Sequence, residues 1–354
     1  MDVLRGFALL TIFVDHIPDN ALARFTLHNF GFSDAAELFV LLAGYSSMIA
    51  YGGLFQRAGT WTTLRRIGLR CVRIYAVQAG LLLATLVIVR AWMDLTGLVP
   101  RFGVAPLMQM GIWQGLLQGL ILNALPNYLD ILPLYIILLI LFPAVYGAMQ
   151  RSISSTLLLS ASVWLLANHD YHLNLPNVAA ADDSGWYFNP FAWQFLFTIG
   201  AALALAVRAR QGFLPQRAWL VGLCWAYLGF AFLQAAPWSS WGLPDLSPAA
   251  MPQPDKGHVA PLRLINILAL IYLLFSSAAV HGFALHRWVR PLEVCGRHSL
   301  EIFAAGCLAA LAGRILYRTF GATWMLQVAT NATGLLAMIG LAFVLDLRSR
   351  TRRG

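Results

Sequence analysis

The chain returns again and again to apolar runs of about 20 residues, the length an α-helix needs to cross the ~30 Å hydrocarbon layer of a bilayer. Such runs lie near residues 3–18, 34–53, 66–91, 128–149, 153–168, 191–208, 218–236, 262–282, 298–317 and 324–346. In lipid every backbone N–H and C=O must be bonded within the chain, so each run reads as a helix. The expected fold class is all-α, a polytopic integral membrane helical bundle of about ten transmembrane helices. A further stretch, 107–125, is apolar but interrupted by Gln and Gly. It fits an interfacial or re-entrant helix and would raise the count to eleven.

Composition leads to the same place. The 354 residues are 59% hydrophobic and 11% charged, against about 25% charged in soluble domains. That is too little polar surface to cover a water-soluble globule. No polar linker divides the chain, so 1–354 reads as a single membrane domain. The net charge of +9 sits in short segments between apolar runs. It reads as membrane topology, and no nucleic-acid partner is expected. The cysteines Cys71, Cys224, Cys295 and Cys307 are scattered without CxxC pairs, which fits inert buried thiols. No small-residue cleavage site follows the first apolar run, so that run reads as the first helix of the mature protein.

Basic residues mark the cytoplasmic side of a membrane protein. Arg5, Arg57, Arg65, Arg66, Arg70, Arg73, Arg151, Arg208, Arg210, Arg217, Arg287, Arg290, Arg297, Arg348, Arg350, Arg352 and Arg353 fall on one face, 17 of 24 Lys and Arg. The exceptions are Arg24, Arg90, Arg101, Lys256, Arg263, Arg314 and Arg318. With ten helices both termini are cytoplasmic. The longer connections, 19–33, 92–127, 169–190 and 237–261, share the opposite face. Their Trp, Asn and Asp residues suit sugars, by stacking and hydroxyl bonding, and equally an interfacial aromatic belt. His169 and His172 have HxxH spacing on a loop without a carboxylate set, and no metal is expected.

The first helix carries Arg5 and, 11 residues on, His16. At ~100° and ~1.5 Å per residue both lie on nearly one face, ~16 Å apart. Arg5 then sits at the cytoplasmic boundary, where Asp2 can pair with it, and His16 lies deep in the membrane. An ionisable residue there is costly and marks either function or a bonded structural group. Asp15 points ~100° away and is not expected to share the site of His16.

On the second helix, Asp34 and Glu37 have capping-box spacing. Glu37 lies further in, placed to orient His16 or an acceptor hydroxyl. Gly44, Tyr45 and Ser46 sit at the level of His16, where Gly44 permits close helix approach and Tyr45 and Ser46 are candidate substrate contacts. Arg66, Arg70 and Arg73 form an i, i+4, i+7 stripe with Arg65 beside it. The stripe serves as cytoplasmic anchoring or as a phosphate-binding face. Asn127 and Asp130, at the outer start of the fourth helix, can bind acceptor hydroxyls or cap the helix. Arg297, His298, Ser299 and Glu301 fit helix capping or a donor contact. His28 and His258 read as loop residues.

RGFALLTIFVDH resembles the Arg-x10-His signature on the first helix of the acyltransferase-3 superfamily. NFGFSDAAELFVLLAGYS resembles the second-helix block of its OpgC family, and NYLDILPLYIILL and CGRHSLEIF are similar to further blocks. Members of that family succinylate osmoregulated periplasmic glucans. The resemblance implies a membrane acyltransferase with a cytoplasmic acyl-CoA donor, succinyl-CoA first among them, and a glycan hydroxyl as acceptor on the outer side. It implies His16 as catalytic base or acyl carrier and Arg5 as its donor-side partner. The arginines 65, 66, 70 and 73 would hold the CoA phosphates. A transporter or flippase built around His16 and Arg5 is the alternative, although no internal repeat supports it. Homodimerisation stays open.

Overall fold

A computed structural model describes residues 1–100, 103–180, 184–209, 214–249, 251–284 and 286–351. Arg101, Arg210, Arg352 and Arg353 therefore lie outside the described residues. Helices account for all regular structure among those described. They are α1 (Asp2–Asp15), α2 (Ala35–Ser47), α3 (Gly53–Thr96), α4 (Ala105–Gln109), α5 (Ile112–Leu120), α6 (Ile131–Arg151), α7 (Ile153–His169), α8 (Pro190–Ala209), α9 (Ala218–Ala235), α10 (Pro261–Ser276), α11 (Ala278–Ala284), α12 (Arg290–Arg297), α13 (Ser299–Phe320) and α14 (Trp324–Thr351).

Each of the ten apolar runs coincides with helix. Six helical segments among the described residues are long and apolar enough to cross a membrane, not ten. α1, α7 and α10 have 14, 17 and 16 residues, at or below the short end of the ~17–25 typical of a crossing. A fourth crossing is absorbed because α2 runs through a single π-helical turn, Met48–Gly52, into α3, making one run of 62 residues. At 1.5 Å per residue that run far exceeds the bilayer, and it breaks at Gly59, whose φ of 78° leaves the helical region. The stretch 107–125 is not a span. It forms α4 and α5, separated at Gly111 with φ 90°.

α2 forms the centre. Leu38, Val40, Leu41 and Leu42 are all buried, as expected of a helix that is apolar on every side. It packs along α8 so closely that a Cβ on Gly44 would stand 1.9 Å from the Phe197 carbonyl oxygen, and one on Gly200 2.0 Å from that of Leu41. Reciprocal small residues of this kind let apolar helices meet backbone to backbone where lipid offers no hydrophobic drive. α9 is peripheral and exposes Trp219, Leu223 and Trp225. The N-terminal ends of α2, α6, α8 and α10 and the C-terminal end of α1 meet at one end of the bundle, beneath the long connections.

Candidate active site

At that end lies a cavity of about 640 Å³. Helix termini converge there, and α1, α2, α6 and α10 bring His16, Asp34, Asp130 and Arg263 to its wall. His16 follows the last turn of α1, its N–H bonded to Ile12 O at 3.0 Å. Its ring lines the cavity, and Nδ1 is buried without a hydrogen-bond partner among the described residues. The Tyr128 ring lies against it, with centroids 4.5 Å apart and planes at 57°.

Asp34 and Glu37 form the capping box their spacing predicts. Asp34 Oδ1 accepts from the Ala36 N–H at 2.8 Å, and Glu37 Oε2 from the Asp34 N–H at 2.9 Å. Their remaining oxygens meet two cations the sequence reading did not place here. Lys256 Nζ lies 2.7 Å from Asp34 Oδ2. Arg263 reaches Asp34 Oδ2 at 3.2 Å through Nη2 and Glu37 Oε1 at 2.5 Å through Nε. Two carboxylates and two cations close a neutral cluster, as burial requires. Burial alone would lower the Lys256 ammonium, but the neighbouring Asp34 and Glu37 charges raise it well above its ordinary range. Lys256 therefore stays charged.

Among the candidate contacts, Asn127 and Asp130 line the cavity together with His16. Glu37 does not line it. The Glu37 side chain is 0% exposed, and both oxygens are spent on Asp34 and Arg263, so it is not free to orient His16. Tyr45 and Ser46 also lie away from it. The Tyr45 ring packs on Phe275, and the Ser46 hydroxyl bonds to Leu42 O at 2.6 Å. Arg5 sits near the other end of α1, 3.4 Å from Leu42 O and 3.7 Å from Asp2 Oδ1. Of the α3 stripe, Arg65, Arg66 and Arg73 are exposed and Arg70 is half-buried. Arg73 is ion-paired with Glu301.

Asp15 does reach the cavity of His16, contrary to the helical-wheel expectation, since the cavity wraps the end of α1 and is lined by both side chains. Its Oδ1 lies 3.3 Å from His28 Nδ1 and accepts from the Thr26 hydroxyl at 2.5 Å. His28, read as a plain loop residue, also lines the cavity. Tyr187 and Phe188 supply its aromatic wall. Trp238 and Trp241 instead pack with Phe232 and each other, outside it. A weak signal for the missed cations was present in the sequence. Lys256 is the sole lysine, and Arg263 lies within an apolar run on the face poor in basic residues.

A helical membrane protein with a buried histidine in a carboxylate-lined polar cavity is equipped to move a proton at a hydroxyl. The match with a family model is direct: residues 1–350 fit the OpgC protein family, and the chain belongs to it. Family membership carries the reading of a membrane acyltransferase for glucan modification. No curated protein and no solved structure matches the chain.

Proposed function

We propose that the protein crosses the bacterial inner membrane about ten times with both termini in the cytoplasm. There it transfers an acyl group, succinyl, from cytoplasmic acyl-CoA to a hydroxyl of a periplasmic glucan. The observation that carries this reading is His16, seated with Asn127, Asp130 and the Tyr187–Phe188 wall in one cavity beneath the long connections. Sugar hydroxyls match the carboxylate and amide groups, and a ring face matches the aromatic wall.

The donor approaches from the opposite end. Arg65, Arg66 and Arg70 offer guanidinium groups to the CoA phosphates, with Arg5 further in. The thioester arm threads through the bundle to His16. In the direct route the acceptor hydroxyl gives its proton to His16, and its oxygen forms a bond to the thioester carbon. The C–S bond then breaks, and the departing CoA thiolate takes up the proton. In the relay route His16 carries the acyl group between donor and acceptor. Burst kinetics with a trapped acyl-enzyme separate the two.

The test is CoA release by the purified protein, supplied with succinyl-CoA or acetyl-CoA and a glucan acceptor. Acceptor-dependent release with preference for succinyl-CoA is expected. If no donor is consumed and none binds at millimolar concentration, the reading fails, and transport assays around the same histidine become the next step.

A further inference from the structure

Tyr128 stands in a backbone conformation that bulky residues avoid. Its φ is 78°, in the left-handed region where a Cβ crowds the neighbouring carbonyl. Such strain persists only where the surroundings over-determine it, and it gathers at functional sites. Here the surroundings do so. Gln78 Nε2 donates to Leu129 O at 2.7 Å, and Cys307 Sγ points at Tyr128 O at 3.8 Å. Gly103 packs so tightly on Asn127 that a Cβ there would meet the Asn127 Cβ at 2.5 Å. The turn before α6 is held from three directions.

The strained turn places the phenol ring against two groups. One is the His16 imidazole, 4.5 Å away by ring centroids. The other is the buried Arg314 guanidinium of α13, 4.4 Å from the ring centroid. A reacting histidine needs something to fix its ring, and commonly this is a carboxylate or carbonyl on the second nitrogen. Among the described residues His16 has no such partner on Nδ1. The Tyr128 ring is the aromatic contact that bears on it.

We propose that Tyr128 is a positioning residue for His16. Its ring, locked by the left-handed backbone and backed by Arg314, holds the imidazole in the orientation that serves the cavity. The proposal rests on the reading of His16 as the group that receives the acceptor proton or the acyl group. It adds what orients that group.

Three variants test it in the purified full chain. Tyr128→Phe keeps the ring. Tyr128→Gly accepts φ 78° without strain, so the turn is preserved and the ring is lost. The third places Tyr128→Gly on His16→Ala. The expected result is a Tyr128→Gly protein that still unfolds cooperatively, with kcat reduced about tenfold or more and KM little changed. Tyr128→Phe stays within about twofold of wild type, and Tyr128→Gly adds no loss once His16 is gone. Diethyl pyrocarbonate labelling of His16, followed by peptide mass spectrometry, needs no substrate. It should accelerate severalfold in Tyr128→Gly and not in Tyr128→Phe, because the covering ring is gone. Wild-type kcat and labelling in Tyr128→Gly would overturn the proposal, as would equal losses in Tyr128→Phe. If His16→Ala alone keeps full activity, it is the reading of His16 that fails, and the labelling result still judges the contact.

Discussion

Arg263 Nε donates to Glu37 Oε1 at 2.5 Å, joining α10 to α2 across 226 residues of sequence. Removing one partner of a buried ion pair strands the other charge, which costs about 3–5 kcal/mol, whereas replacing both by apolar groups is far milder. Glu37→Met is therefore expected to lower thermal stability sharply. Glu37→Met with Arg263→Met is expected to recover part of the loss. Unfolding in detergent, followed by tryptophan fluorescence, checks the order of the two. A double variant worse than the single one would show that the pair is not the stabilising contact.

The α2–α8 crossing depends on two missing side chains. Gly44→Ala drives a Cβ into the Phe197 carbonyl oxygen at 1.9 Å, and the helices must separate. The expected cost is about 1–3 kcal/mol, read as a lower unfolding temperature. Gly147→Ala on α6, where a Cβ meets nothing within 4 Å, serves as the control and should leave stability unchanged.

The loop that carries Lys256 is braced by Asp255, whose carboxylate accepts the Gly257 and His258 backbone N–H groups, each at 3.0 Å, and meets His258 Nδ1 at 2.6 Å. Burial alone would raise the Asp255 carboxyl, but these hydrogen bonds hold it below its ordinary 3.8. A carboxyl depressed by folding contributes stability that is present above its unfolded value and is lost as pH falls through the folded one. The contribution of Asp255 to holding the loop should therefore be present above about 4 and be lost as pH falls below it. Protease cleavage of 251–260 as a function of pH measures this. Asp255→Asn should cleave readily at every pH.

Arg65, Arg66 and Arg70 are assigned to donor phosphates. Replacing the three with Gln should raise KM for acyl-CoA about tenfold or more with kcat nearly unchanged, the signature of lost uniform binding. It should also flatten the salt dependence. Steady-state kinetics at two ionic strengths provides the check. A fall in kcat at constant KM would move the arginines out of the donor site.

Much of this arrangement was legible in the sequence. The apolar runs became helices where their length dictated, Asp34 and Glu37 capped α2 as their spacing required, and Gly44 marked the close crossing. His16, Asn127 and Asp130 met in one cavity because each sits at a helix end on the same side. What escaped were contacts that depend on distant chain. Lys256 and Arg263 find Asp34 and Glu37 only when α10 packs beside α2, and a local reading of Glu37 could not know that its carboxylate was taken. The turn before α6 holds Asn127, but the residue with positive φ is Tyr128 beside it, a position where a bulky side chain gives no signal. Asp15 escaped because an offset of ~100° does not separate two side chains when the cavity wraps the helix end.

The most direct measurement compares acceptor-dependent CoA release by wild type and His16→Ala, with matched unfolding profiles to show that both are folded. The account predicts turnover in wild type and its loss by about a hundredfold or more in His16→Ala, the scale of positioned acid–base catalysis. Undiminished turnover in a folded His16→Ala protein would contradict the account at its centre.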